Sequence, residues 1–313
     1  MSPLPRDLPH LGDTIFLTDG GLETTLVFLQ GLDLPCFAAF PLLSSEEGRL
    51  ELERYYAPYL DLARERGLGF VLDTPTWRAN ADWGERLGYD ADRLAEMNRY
   101  AVEWARALAE KFPTGAPIVI NGAVGPRGDG YRPTSLMSPA EAEAYHAPQI
   151  GSFAEAGADM VTAVTMNYSD EASGIARAAR DADIPVAISF TVELDGKLAS
   201  GESLKEAMEK VDDETHGMPA YYMINCAHPA HFERVLAAGE AWTRRIRGVR
   251  ANASAKSHAE LDESTELDEG DPQDLGQRYR ALRSELPQIT LLGGCCGTSH
   301  RHVLAICEAC LPA

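Results

Sequence analysis

A single (β/α)8 barrel is the fold this sequence predicts, on three observations. Short apolar runs rich in Val, Ile, Phe and Thr alternate with longer stretches of helical spacing. Eight such pairs follow one another along the chain. No G-x-G-x-x-G follows the first run, which weighs against a doubly wound open sheet, a rival that would also hold fewer strands in this length. The strand runs are TIFLTDG (14–20), LGFVLDT (68–74), PIVINGA (117–123), DMVTAVT (159–165), PVAISFT (185–191), AYYMINC (220–226), IRGVRAN (246–252) and QITLLGG (288–294). Helical stretches lie near 45–66, 91–111, 138–157, 169–181, 201–213, 228–240, 272–285 and 299–310. Local signals support several starts. Ser44 or Ser45 precedes two glutamates, Ser138 precedes Pro139 and Glu141, and Asp271 precedes Pro272. Each offers a side-chain oxygen to the free N–H groups of a first turn, with Pro where no N–H is needed. EAGADM (155–160) reads as a helix end, a glycine stop and the next strand.

The 313 residues fit one domain, 1–313, with an acidic surface loop at about 256–272. Residues 260–274 carry eight carboxylates and no basic residue. A solvated loop is the expectation there, ahead of a docking tail or a divalent-ion site. The formal net charge of −20 opposes binding to nucleic acid or an acidic membrane, so small molecules are the expected partners. No run is long and apolar enough to cross a bilayer. The first residues, MSPLPRDLPHLGD, lack a basic region followed by an apolar run, so a cytoplasmic protein with reduced cysteines is expected.

In a barrel the C-terminal strand ends meet at one mouth. The polar residues there are Asp19, Thr74, Asn121, Thr165, Thr191, Asn225, Cys226, Asn252, Cys295 and Cys296. The third strand leads into GAVGPRGDGYRP (122–133), which lacks the G-K-[ST] ending of a phosphate loop and reads as a turn or lid over the mouth.

Cys226 ends the sixth strand, and Cys295 and Cys296 end the eighth within GGCCGT. Adjacent side chains in a strand point opposite ways. The flanking glycines let the backbone turn both sulfurs to one point, where Cys226 can join them. Three thiolates leave one tetrahedral position open, the arrangement of a catalytic zinc site. Three anionic sulfurs quench much of the ion's Lewis acidity, so the site suits holding an exchangeable thiolate better than activating water. A closed four-sulfur site using Cys307 and Cys310 is the alternative, although both lie on an apolar stretch with helical spacing. Cys36 is given no role. His228 and His231 follow Cys226 closely but are expected on the next helix. No Ser-His-Asp set is evident.

With these residues in view, the chain resembles the zinc-dependent homocysteine S-methyltransferase family, which includes enzymes that use betaine or S-methylmethionine. The resemblance runs from about 14 to 310 through TDGGLETTL (18–26), TPTWRAN (74–80), NGAVGPRGD (121–129), EAGADMVTAVT (155–165), ISFTVELDGKLASGESL (188–204), INCAHP (224–229) and GGCCGT (293–298). INCAHP and GGCCGT are the specific pair, being similar to the family's zinc motifs.

The resemblance implies Zn2+ on Cys226, Cys295 and Cys296, with methyl transfer from an onium-type donor to a thiol, homocysteine giving methionine. It implies that Asp19 and Asn225 serve the chemistry. Asp19, Gly20, Gly21, Thr76, Trp77 and Thr165 would contact substrates. Trp77 stands where the family usually has Tyr, and its indole face suits a cation. Two positions depart from the family. Val164 occupies the place of a Glu that binds the amino group of homocysteine, and CFAAF (36–40) stands where a Trp is usual. A different thiol, a zinc- or thiol-binding protein without catalysis, and a zinc hydrolase are the alternatives. The last would want His or carboxylate ligands and a general base.

Overall fold

The computed structural model describes residues 8–133, 136–237 and 239–311. Both ends of the expected 1–313 domain lie outside these residues. Eight parallel strands close into a barrel in chain order. They are β1 (Phe16–Leu17), β2 (Gly69–Asp73), β3 (Ile118–Val124), β4 (Met160–Met166), β5 (Val186–Phe190), β6 (Tyr221–Asn225), β7 (Ile246–Ala251) and β8 (Leu291–Gly294). Closure comes from β1 against β8, with Phe16 opposite Leu291 and Leu17 opposite Leu292. β1 is short because the chain turns away at Asp19-Gly20-Gly21, after Thr18 has donated its N–H to Leu292 O at 2.8 Å.

One main helix follows each strand: α1 (Glu46–Arg66), α2 (Ala91–Lys111), α3 (Pro139–Glu155), α4 (Ser169–Asp181), α5 (Leu204–Thr215), α6 (Pro229–Leu236), α7 (Pro272–Glu285) and α8 (His300–Cys310). The expected caps do the local work. Ser45, not Ser44, accepts from Gly48 N at 3.0 Å. Ser138 and Glu141 satisfy each other's backbone N–H groups, and Asp271 opens α7. Gly157, at φ 76°, ends the α3 segment before β4.

Apolar side chains from β1 to β6 and from β8 fill the lower barrel, among them Phe16, Val71, Val119, Met160, Ala187, Tyr221 and Leu291. The N-terminal segment closes that end with His10, which is fully buried edge-on to Phe16 and Tyr221. A second apolar layer lies between the strands and the helices. The upper end is left to polar groups.

Several short helical pieces escaped the periodicity. Among them, Leu22–Thr24 and Thr25–Leu29 follow the first strand, Ala81–Arg86 follows the second, and His258–Asp262 follows the seventh. These come after the C-terminal ends of strands and shape the mouth. The acidic segment 256–272 lies on the surface, and residues on its inner side roof the mouth. Its carboxylates have particular partners: Glu260 caps the short helix with Ser257, Asp268 meets Lys256, and Glu269 meets Arg301. No helix among the described residues is long and apolar enough to cross a membrane.

Candidate metal centre and substrate cavity

Cys226 sits one residue beyond β6 in a left-handed conformation, φ 50°. An L-residue adopts that region at a cost, so the surroundings must hold it there. Three donors do so by converging on the Cys226 carbonyl: His258 Nε2 at 2.7 Å, Asn252 Nδ2 at 3.0 Å and Thr191 Oγ1 at 3.3 Å. Two of these, Thr191 and Asn252, are polar strand-end residues of the sequence reading. Their work is to aim Cys226, not to meet a ligand.

The GGCCGT turn is built by close approach. A Cβ on Gly293 would meet Thr18 Oγ1 at 1.9 Å, and one on Gly294 would meet Thr298 Oγ1 at 2.0 Å. Thr298 closes the turn by donating both its N–H, at 3.0 Å, and its hydroxyl, at 2.7 Å, to Cys295 O. The outcome is that the sulfurs of Cys226, Cys295 and Cys296 all lie within 4.8 Å of one another, the one such group of possible metal ligands among the described residues. Cys226 Sγ and Cys296 Sγ are 4.0 Å apart.

Sulfurs held tetrahedrally at the Zn–S distance of about 2.3 Å would stand roughly 3.8 Å apart, so the donor set fits zinc. The sulfurs of Cys226 and Cys295 are joined as a disulfide. The convergence that suits a metal also brings these two sulfurs within bonding reach. Reduction of that bond frees the three-thiolate set. Cys307 is buried in the apolar core, and neither it nor Cys310 joins the cluster. His228 caps α6 and His231 meets Ala255 O at 3.0 Å, both as residues of the following helix.

A cavity of about 400 Å³ opens in front of the sulfurs, a size suited to one or two small metabolites. Asp19, Gly20, Gly21, Trp77 and Thr165 line it, together with the three cysteines. Thr76 does not line it; its buried hydroxyl donates to Ala123 O at 2.8 Å and ties the β2 loop to β3. Asn225 is fully buried below the sulfurs. Its Oδ1 accepts from Thr165 N at 2.9 Å and Ser189 Oγ at 2.6 Å. Its Nδ2 donates to Thr165 Oγ1 at 2.8 Å and faces Cys295 Sγ at 3.9 Å. An oxygen with two donors is poorly placed to ligate a metal, so Asn225 reads as the residue that fixes Thr165, itself at φ 65°, beside Cys226.

Several residues at the cavity were not singled out in the sequence. Arg250 of β7 forms ion pairs with Asp19, at 2.5 Å, and with Asp73. Tyr55 donates to the second Asp19 oxygen at 2.8 Å, and Asn121 donates to Asp73 at 2.6 Å. Asp19 is therefore part of a buried charged floor. Burial raises its carboxyl while Arg250 pulls it down, burial being the larger effect. Tyr131 brings the GAVGPRGDGYRP loop over the mouth, with its hydroxyl 3.4 Å from Cys296 Sγ and its ring stacked on His258 at 4.0 Å. Asn167 holds this loop by donating to Asp129 O and Gly130 O, both at 3.0 Å. Burial also raises the Cys296 thiol.

Arg78 stands over the ring of Trp77 at 4.8 Å, so a cation of the chain itself occupies one face of the indole expected to meet a donor. Phe37, in the segment where the family shows a Trp, lines the cavity. Glu23 lines it as well, and burial pushes its carboxyl up to about 7 from 4.5. A carboxyl raised in the fold binds a proton the unfolded chain has already released. The Glu23 contribution therefore makes stability fall as pH rises from about 4.5 to 7. Glu23→Gln is expected to remove that part of the slope in a series of melting temperatures, and an unchanged slope would contradict the assignment.

A homocysteine S-methyltransferase family model matches residues 16–310. No curated protein sequence matches the chain. Among solved structures, the homocysteine methyltransferase MmuM from Escherichia coli is similar in its oxidized form, with a TM-score of 0.74 and 22% identity over 97% of this chain and 98% of that one. The metallated form of the same protein gives a TM-score of 0.70 and 20% identity over 96% and 98%. At these identities the likeness is one of fold.

Proposed function

The chain belongs to the homocysteine S-methyltransferase family, and on that premise we propose that it carries a zinc ion on Cys226, Cys295 and Cys296 and moves a methyl group from an onium donor to the thiol of homocysteine, giving methionine. The observation that carries this reading is the meeting of three cysteine sulfurs at the wall of one cavity of metabolite size. In the reaction the acceptor thiol loses its proton, its sulfur forms a bond to the methyl carbon, and the carbon–sulfur or carbon–nitrogen bond of the onium group breaks. The donor leaves as a neutral thioether or amine. Zinc bound to the three cysteines would keep an acceptor thiol, ordinarily of pKa near 8.5, deprotonated at neutral pH.

The remaining work belongs to the chain. Cys226 and the Cys295–Thr298 turn fix the place of the acceptor sulfur. The Asp19–Arg250–Asp73 floor is rigid and fully paired, so it can face a polar substrate without rearranging. Tyr131 and the 258–268 segment cover the cavity and limit water, which favours a desolvated sulfur nucleophile. Positioning accounts for the rate, because a direct displacement needs the methyl carbon in line with the sulfur and no acid–base pair. The chemistry requires free thiols, which supports a reducing compartment such as the cytoplasm.

The test is methionine formation from homocysteine by reduced, zinc-loaded protein, with S-methylmethionine and betaine as separate donors. Chelation is expected to lower the rate by more than about a hundredfold, and added zinc to restore it. A rate indifferent to chelation would contradict the zinc reading.

A further inference from the structure

Two charged side chains on the cavity wall lack the partners that charged groups near a protein interior ordinarily have. Glu23 makes no ion pair and no hydrogen bond to another side chain among the described residues; its carboxyl is met by its own backbone N–H, and the cavity wall places it beside the sulfurs. Arg78 has no carboxylate partner among the described residues. Its Nη1 donates to Cys36 O, and its Nε is buried without an acceptor. The guanidinium is held by stacking, 4.1 Å from the Trp83 ring centroid and 4.8 Å from that of Trp77. Such stacking fixes the plane of the guanidinium and leaves its edge for an anion. The two groups lie within each other's electrostatic reach yet do not meet.

The position of Glu23 is also set relative to the sulfurs. Gly21 N donates to Thr298 O at 3.0 Å, and Gly297 N donates to Thr24 Oγ1 at 3.2 Å. The turn bearing Glu23 is thus pinned to the turn bearing Cys295 and Cys296. On the opposite wall, Val164 offers no charge.

From this arrangement we infer that Glu23 and Arg78 form the amino-acid subsite, Glu23 taking the acceptor's ammonium and Arg78 its carboxylate. A carboxyl and a guanidinium that face one cavity without an opposite charge are the complement of a zwitterion, whose ammonium would hold the Glu23 carboxyl in its ionised form. Each buried or half-buried charge is left underused until such a ligand arrives. The subsite rests on the reading of an amino-acid thiol as acceptor, and it lies on the β1 and β2 loops, away from position 164. Asp19, whose two oxygens already serve Arg250 and Tyr55, orders the floor beneath it.

The test is calorimetric binding to the reduced full chain of three thioethers: L-methionine, 4-(methylthio)butanoate, which lacks the amine, and 3-(methylthio)propylamine, which lacks the carboxylate. Glu23→Gln is expected to weaken methionine and the amine by at least about tenfold and to leave the butanoate within about twofold. Arg78→Gln is expected to weaken methionine and the butanoate by at least about tenfold and to spare the amine, with Arg78→Lys intermediate. Circular dichroism melts establish that each variant is folded. A Glu23→Gln protein that binds methionine as the parent does, or that loses all three ligands equally, overturns the subsite. A parent that binds methionine while neither variant changes the ligand order overturns the subsite alone. A parent that binds none of the three overturns the acceptor reading with it.

Discussion

Replacement of Cys226 by alanine is expected to reduce bound zinc from about one per chain to near zero and methyl transfer by at least about a thousandfold. The reason is geometric. Cys226 is the one member of the set supplied by β6, and the left-handed bend at its Cα is held by three donors from β5, β7 and the 258–262 helix. Two sulfurs of the GGCCGT turn alone leave the ion two ligands short of a tetrahedron. Metal analysis of reduced protein reads the effect directly, and a Cys226→Ala protein that kept its zinc would show that the three-sulfur assignment is wrong. Cys307→Ala, a change in the apolar core, is expected to leave zinc content unaltered.

Arg250→Met should produce the second large effect, on stability. Arg250 is the single cation paired with two buried carboxylates, and it also donates from Nε to Gly294 O at 3.1 Å, so it ties β7 to β8 and to the β1 turn. Removing one member of a buried ionic cluster costs about 3–5 kcal/mol, because the remaining charges lose their compensation. For a chain of this size that corresponds to a fall in melting temperature of roughly 5–8 °C. Adding Asp19→Asn to Arg250→Met removes one of the stranded carboxylates and is expected to recover part of the loss. A single variant that melts with the parent would mean that the Asp19–Arg250–Asp73 floor contributes little.

The barrel was legible because its signals are local. Each strand run lies between a helix stop and a polar end, as at Gly157 before Met160, and most major helices begin on a residue whose side chain caps them, as Ser138 and Ser203 do. The three sulfurs were legible for the same reason: cysteines at two strand ends of a closed barrel converge, whatever the loops do. Arg250 was not, because its direction depends on the register of β7 against β6 and β8, which shifts between Tyr222 and Met223. Glu23 and Arg78 sit in loops whose course is set by contacts made elsewhere, with the 295–298 turn and with Trp83. Trp77 was placed at the cavity from sequence, but the cation over its ring comes from the next residue in the chain. Asn225 adjoins the sulfurs, and only the packing of β4 and β5 around it gives its oxygen the two hydrogen bonds it accepts.

The most direct test of the central claim, a three-sulfur metal centre with one position for a substrate thiol, is the visible spectrum of the reduced, cobalt(II)-substituted protein titrated with homocysteine. Thiolate-to-cobalt charge transfer is expected before titration, with a saturable increase as the substrate sulfur adds to the set. A spectrum without thiolate character, or one that homocysteine leaves unchanged, would contradict it.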